Sequence, residues 1–201
     1  MIFKKIKINK HILQNRVTVS PMCQYSAQSG KPNNWHYRHL SNLVESGAGM
    51  LTVESTAVSR EGRITNKDLC IYNQNQMKSH KKLLKNLKKI RKIPIILQIS
   101  HSGRKGSAEV PWVKKNFSLK KKSLKWKTYS PTSIKRHKNW PKPKEMTKNY
   151  IKKTIKDFKN SAKLAFQAGY DGVEIHMAHG YLLHQFFSPI TNKRKDEYGL
   201  Q

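Results

Sequence analysis

Two imidazoles and a phenol stand close together in Glu174-Ile-His-Met-Ala-His-Gly-Tyr181, namely His176, His179 and Tyr181. Such a trio can hold a carbonyl or nitro oxygen, or deliver a proton to a reacting carbon. A metal site, or histidines satisfied inside a packed loop, would use the same residue types, and local chemistry alone leaves these open. Further polar clusters lie at Ser20-Pro-Met-Cys-Gln-Tyr25, at Ser55-Thr-Ala57, and at Gln98 followed by His101-Ser-Gly-Arg-Lys105.

Each cluster stands at the C-terminal end of a segment that reads as a strand. The four strands are expected at 16–21, 49–55, 95–99 and 172–175, the third an almost unbroken apolar run and the fourth buried. Such a run suits a parallel strand covered on both faces. Helices are expected between them. The first spans 35–46, capped by Asn33 or Asn34 and stopped by Gly47. The second, 77–92, turns Leu83, Leu84, Leu87 and Ile90 inward and lysines outward. The third starts at Thr147, ends at Gly169 and places Ile151, Ile155, Phe158, Ala162 and Phe166 on its buried stripe. After the fourth strand a loop is expected, with His184 as a structural residue in it. His36 and His39 are assigned to helix packing or surface.

Alternating strands and helices argue for a parallel sheet with crossover helices. Polar residues gathered at strand ends point to an α/β architecture, a (β/α)8 TIM barrel truncated to roughly its first four strand–helix units. All four clusters would then converge on one face. One long irregular segment, 100–146, interrupts the rhythm; it contains four prolines and a lysine-rich middle at 114–127 that reads as a floppy surface insert. Neither GxGxxG nor GxxxxGK[ST] occurs after the first strand, so nucleotide-binding sheets of those types are unsupported.

Composition narrows the function classes. Two cysteines, Cys23 and Cys70, give no disulfide framework, and no apolar run reaches the length of a membrane span. A cytoplasmic location is expected, with no membrane association. The formal charge of +30, from 41 Lys+Arg against 11 Asp+Glu, would attract polyanions non-specifically. The excess is mostly lysine without interleaved arginine and aromatic residues, which argues against base reading. Solvated lysine faces are expected, with no specific nucleic-acid partner.

The ordered motifs resemble the old yellow enzyme group of FMN-dependent oxidoreductases. The likeness runs through Asn15-Arg16, Ser20-Pro-Met-Cys-Gln-Tyr25, Gly62-Arg63-Ile64, Gln98-Ile-Ser-His-Ser-Gly-Arg-Lys105, the stretch from Gly172 to Pro189, and Asn192-Lys-Arg-Lys-Asp-Glu-Tyr-Gly199. The Cys23 and Tyr25 pair resembles the bacterial-type branch. The resemblance implies FMN as cofactor and NAD(P)H as hydride donor, with a small-molecule acceptor such as an activated alkene. It implies that Ser20, Pro21 and Met22 line the flavin ring, that Cys23 lies near its reactive edge, and that Ala57 and Gln98 bond it. His176 and His179 would grip the substrate oxygen, Tyr181 would donate the proton, and Tyr25 would contact substrate. His101, Arg104 and Lys105 match a motif with supporting roles. No metal is expected: zinc would want a third protein ligand, and Glu174 points to the opposite side of the strand from its neighbours.

Residues 1–201 are thus expected to form the N-terminal half of a single FMN-binding barrel domain. Family members usually continue beyond the Gly199 motif, and barrels place phosphate sites after strands seven and eight. Leu200-Gln201 reads as a frameshift tail, an incomplete gene model or a split gene. Three readings compete: an oxidoreductase half that needs completion by a missing C-terminal half or by self-association, a non-catalytic remnant, and a basic nucleic-acid-binding domain. An iron–sulfur cluster downstream is left open.

Overall fold

The structure, a computed structural model, describes residues 1–114 and 117–200, with Lys114 represented by its backbone. Within the predicted lysine-rich insert, residues 115 and 116 lie outside the described residues, as does Gln201 of the terminal pair.

An antiparallel hairpin, β1 (Ile6–Ile8) and β2 (His11–Leu13), opens the chain. Next come β3 (Thr18–Val19), α1 (Asn34–Glu45), β4 (Met50–Ala57), β5 (Leu69–Cys70), α2 (Gln74–Ile90) and β6 (Ile95–Ser100). The long connection follows, holding α3 (Pro111–Lys114), β7 (Tyr129–Ser130) and β8 (Lys144–Glu145). The chain then runs through α4 (Lys148–Ala168), β9 (Gly172–Ile175) and α5 (Leu182–Phe187). The strands β3-β4-β6-β9 are parallel neighbours in chain order, with β5 paired to the end of β4.

Caps delimit the helices as the sequence suggests. Asn33 caps α1 in a capping box with His36 and Thr147 caps α4, whereas α2 starts at Gln74, before the expected residue 77, with Asn73 as its cap. Gly169 ends α4 at φ 100°, a left-handed conformation that glycine adopts at little cost.

Register decides what each strand residue faces. Leu97 pairs with Val53 and with Val173, whereas Gln98 pairs with Glu174. Leu51, Val53, Leu97 and Ile99 pack against Leu40, Val44, Leu84, Leu87 and Leu164 from the three long helices. Each fully buried leucine contributes roughly 1.5–3 kcal/mol of transfer free energy. The opposite face carries Gln98, Ser100 and Glu174, since side chains alternate along a strand.

The helix-facing side of β9 lacks such a cover. Val173 and Ile175 are 39% and 51% exposed, although their register partners Leu97 and Ile99 are buried. The fourth parallel strand is followed by the six-residue α5, not by a covering helix of the length of α2 or α4. The same openness corrects the predicted stripe of α4. Ile151 is buried and Phe158 and Ala162 pack at the core margin, but Ile155 and Phe166 are 57% and 78% exposed. Thr154, Ser161, Leu164, Ala165 and Ala168 take the inner positions. Phe166→Gln is therefore expected to change stability by less than about 0.5 kcal/mol, the usual size for a surface change; urea unfolding of the pair checks this.

Two further corrections concern irregular regions. The segment after β9 makes α5, which includes His184, and the Gly180 N–H donates to His184 Nδ1 at 3.2 Å. The segment 100–146 is tethered to the body at several points: Leu119 is 2% exposed, and Trp126 Nε1 donates to the Glu61 carbonyl at 3.1 Å. Among the described residues, no helix is long and apolar enough to cross a membrane.

Candidate functional site

The strand ends bring the predicted clusters to one side of the sheet. His176 follows β9, its N–H donating to the Ile99 carbonyl at 3.1 Å, so the sheet ladder fixes where the histidine turn starts. His179 at φ 56° and Gly180 at φ 65° then reverse the chain and deliver Tyr181 to the start of α5. The three rings form a close set, with His176 centred 5.1 Å from His179 and 4.8 Å from Tyr181.

Hydrogen bonds assign the tautomers of the pair. The Ala178 N–H donates to His176 Nδ1 at 3.2 Å, so the proton of neutral His176 sits on Nε2. That Nε2 lies 3.3 Å from His179 Nδ1, which makes His176 the donor and leaves the proton of neutral His179 on its Nε2. Burial, and secondarily His179, lowers the His176 pKa from 6.5, which favours the neutral form near neutral pH. Among the described residues, no group of three or more His, Cys, Asp and Glu is placed to hold a metal ion.

Tyr181 packs with Cys23 and Tyr25 against Ile64, Ala108 and Trp140. Burial raises all three acid pKa values; Asp68 and Glu54 add to it at Cys23, and the Cys23 thiol adds to it at Tyr25 and Tyr181, so all three are held protonated. Tyr25 stands at φ 46°, a second left-handed residue in the site that is not glycine. A cleft of about 240 Å³ opens here, lined by Tyr25, His179 and Tyr181 on the predicted side. Thr65, Lys105, Arg136 and Trp140 complete much of its wall.

The remaining candidates sit along the same strand ends. Ser20 is exposed, Pro21 half-buried and Met22 47% exposed after β3. Ala57 is buried at the end of β4 and its carbonyl accepts from the Ile71 N–H at 3.1 Å. Gln98 Nε2 donates to Glu174 Oε1 at 2.5 Å across the β6–β9 pair. His101 is buried, its Nδ1 accepting from the Gly103 N–H at 3.1 Å, which shapes the turn that carries Arg104 and Lys105. His36 closes the capping box of α1 and is buried against Glu54.

Sequence reasoning missed Arg136, Trp140 and two buried acids. Trp140 stands just before Pro141 and Pro143 in the segment expected to be irregular; a tryptophan next to prolines was the available signal of a packed wall. Glu54 accepts from the Gln24 N–H at 2.9 Å and thereby holds the Cys23–Tyr25 turn. Asp68 accepts from the Ile64 and Thr65 N–H groups and the Thr65 hydroxyl, building the floor turn that carries both.

These buried groups set opposite pH trends. Burial raises Glu54 from 4.5 to about 8 and Asp68 from 3.8 to about 6. A raised carboxyl contributes stability below its ordinary value, and that contribution is lost as pH climbs through the folded value. Burial lowers His36 and His80 from 6.5 to about 4, and His101 to about 3. Their contribution is present above 6.5 and lost as pH falls towards 4 and 3. Three imidazoles outweigh two carboxyls on the acid side, and only Glu54 acts beyond 6.5. Thermal unfolding is expected to peak between pH 6 and 6.5, bounded by the Asp68 and histidine values. Glu54→Gln should flatten the alkaline decline, and a midpoint that keeps rising to pH 8, the Glu54 value, would contradict this account.

Residues 1–200 match the family model described as NADH:flavin oxidoreductase / NADH oxidase. The chain belongs to that family. It is 39% identical to an NADH:flavin oxidoreductase of Gibberella zeae over 98% of this chain and 48% of the relative. It is 37% identical to an NADPH dehydrogenase of Listeria monocytogenes over 98% of this chain and 54% of the relative. Among solved structures, the Old Yellow Enzyme from Pichia sp. AKU4542 superposes with a TM-score of 0.85 at 29% identity, over 100% of this chain and 52% of that one. Morphinone reductase shares the fold, with a TM-score of 0.86 at 21% identity over 54% of its chain. This member of the NADH:flavin oxidoreductase family thus spans about half the length of the relatives it matches, and its sheet corresponds to the N-terminal half of their TIM barrels.

Proposed function

We propose that the chain carries one half of the active site of an FMN-dependent NAD(P)H oxidoreductase that reduces an activated alkene or similar electrophile. The carrying observation is the His176, His179 and Tyr181 constellation at the end of a parallel strand, beside a thiol and a second phenol. Residues on this face fit a flavin ring. Ser100 Oγ is buried without a partner among the described residues, and it shares the Gln98 face of β6. The Gln98 amide, anchored by Glu174, offers a donor and an acceptor beside it. Pro21 and Met22 supply partly exposed apolar surface at the neighbouring strand end. Ser20 and Ala57 belong to this proposed flavin-contacting set, and Cys23 is proposed to tune its redox behaviour. When bound, FMN supplies the two-electron carrier that accepts hydride from the nicotinamide and returns it to the acceptor.

The protein groups do the rest. His179 Nε2–H is one donor for a carbonyl or nitro oxygen; His176 Nε2–H is a second once that oxygen replaces His179 Nδ1 as its acceptor. Fixed donors of this kind stabilise charge developing on the oxygen. Tyr181, held protonated, gives its phenolic proton to the carbon next to the activating group, while Tyr25 contacts the substrate from the other wall.

Joining residues 1–200 to the C-terminal half of the Listeria relative, whose N-terminal half this chain matches, completes the barrel for a test. The chimera should retain FMN stoichiometrically, lose its visible absorbance on anaerobic addition of NADPH, and regain it with an enone. A folded chimera that stays colourless after FMN addition overturns the proposal. A second reading, a piece that acts only by association, draws on the exposed Val173 and Ile175 flank. Flavin retained by the 201-residue chain while it sediments as a monomer would count against that reading.

A further inference from the structure

The outer wall of the cleft holds two cations that the reduction chemistry does not use. Lys105 lies over the Gly180 turn, its Nζ donating to the His179 carbonyl at 2.5 Å and standing 5.9 Å from the centre of the Tyr181 ring. The packing is close, since a Cβ on Gly180 would come within 3.1 Å of that Nζ. Arg136 approaches from the long connection, its guanidinium carbon 4.5 Å above the Trp140 ring. Trp140 is only 3% exposed, so the platform beneath the guanidinium is fixed by its own packing. Both cations line the one cleft that also holds Tyr25, His179 and Tyr181.

Electrostatics agree with the geometry. Burial, then Arg136, then Arg104, lowers the Lys105 pKa. Burial lowers Arg136 as well, with the Tyr181 phenol opposing. Lys105 therefore feels Arg136, and Arg136 feels the proposed proton donor. Like charges converging in a partly buried space repel, and an anion between them reverses the sign of the interaction. Glu109 shares the cleft, and its Oε1 is engaged by the Lys120 N–H, which donates to it at 3.3 Å. A guanidinium stacked by its face bonds acceptors in its plane, the geometry that matches a carboxylate.

We propose that Arg136 and Lys105 form an anion subsite beside Tyr181, so that the preferred acceptor is an α,β-unsaturated carbonyl compound bearing a carboxylate. The acceptor part of this statement rests on the function proposed above; the anion subsite does not.

β-Acetylacrylate and its methyl ester share a skeleton and differ in charge, as do their saturated products levulinate and methyl levulinate. Calorimetric titration of the 201-residue chain should show levulinate binding about tenfold tighter than its ester, the worth of one charge-assisted hydrogen bond. Arg136→Gln should abolish the preference, whereas Lys159→Gln, an exposed residue on α4, should keep it. A preference lost equally in both variants would trace it to the general positive field and overturn the subsite. Equal binding of acid and ester would overturn it too. In the flavin-loaded chimera, kcat/KM for β-acetylacrylate should exceed that for the ester by a similar factor, and Arg136→Gln should collapse the ratio. Levulinate preference without turnover of either acceptor would sustain the subsite and sink the oxidoreductase reading. Turnover of both acceptors at equal kcat/KM would do the reverse.

Discussion

Tyr181→Phe in the completed, flavin-loaded enzyme is expected to slow reduction of an enone by about 10²–10⁴-fold, the usual contribution of a placed general acid. Its effect on the rate at which NADPH bleaches the flavin should be far smaller, because that half-reaction moves hydride without needing a phenolic proton. The reasoning is geometric first. Tyr181 stacks edge-on to His176 at 4.8 Å, so the oxygen held by the histidines and the proton held by the phenol address the same small molecule. Burial raises the phenol's pKa, and Cys23 beside it adds to this, so the acid is protonated across the neutral range. Stopped-flow measurement of the two half-reactions separates the outcomes. Equal slowing of both would assign Tyr181 to packing; no slowing of either would remove it from the chemistry. A solvent isotope effect on the oxidative half-reaction that disappears in Tyr181→Phe would tie the residue to the transferred proton.

Asp68→Ala is expected to cost roughly 3–5 kcal/mol of stability, the scale of breaking a buried polar network by removing one partner. Asp68 is 3% exposed and receives three hydrogen bonds, from the Ile64 and Thr65 N–H groups at 2.5 and 3.0 Å and the Thr65 hydroxyl at 2.7 Å. Truncation strands both amides and the hydroxyl, and a stranded buried donor costs about 1–3 kcal/mol. Part of that loss is offset because the carboxylate itself is disfavoured by burial, as its raised pKa records. Asp68→Asn keeps one acceptor and should lose less. Urea unfolding near neutral pH measures both; a loss below about 1 kcal/mol for the alanine variant would show that the turn holds without its acid. The change should also loosen the cleft, since Ile64 and Thr65 form its floor.

What was legible in the sequence follows the range of the interactions involved. Strands and helices whose signals are local appeared where expected: Ile95–Ser100 from its apolar run, α1 and α4 from Asn33, Thr147 and Gly169 at their ends. The placement of His176, His179 and Tyr181 at a strand end was readable because Gly172 and Gly180 bracket that strand and turn. Ile155 and Phe166 were misplaced because helical periodicity says which residues share a stripe, not whether anything packs over it. Arg136 and Trp140 escaped notice because their companions in the cleft, Tyr25 and Tyr181, lie far away in the chain. Asp68 looks like an ordinary turn residue until three donors converge on it.

Tyr25 and His179 both carry positive φ, and both line the cleft. A left-handed backbone costs a residue with a side chain roughly 1–2 kcal/mol relative to its relaxed form, a cost glycine would escape. The same fold with glycine at these two positions would therefore relax more easily and lose a phenol and an imidazole. Asn9, Ser29 and Ser107 also carry positive φ, but at helix ends and in strands local preference and tertiary arrangement agree: glycine ends α4, asparagine and threonine start helices, and branched residues fill strands. At Tyr25 and His179 the strained backbone coincides with groups placed for the reaction, as it does when a sequence answers to a demand besides folding.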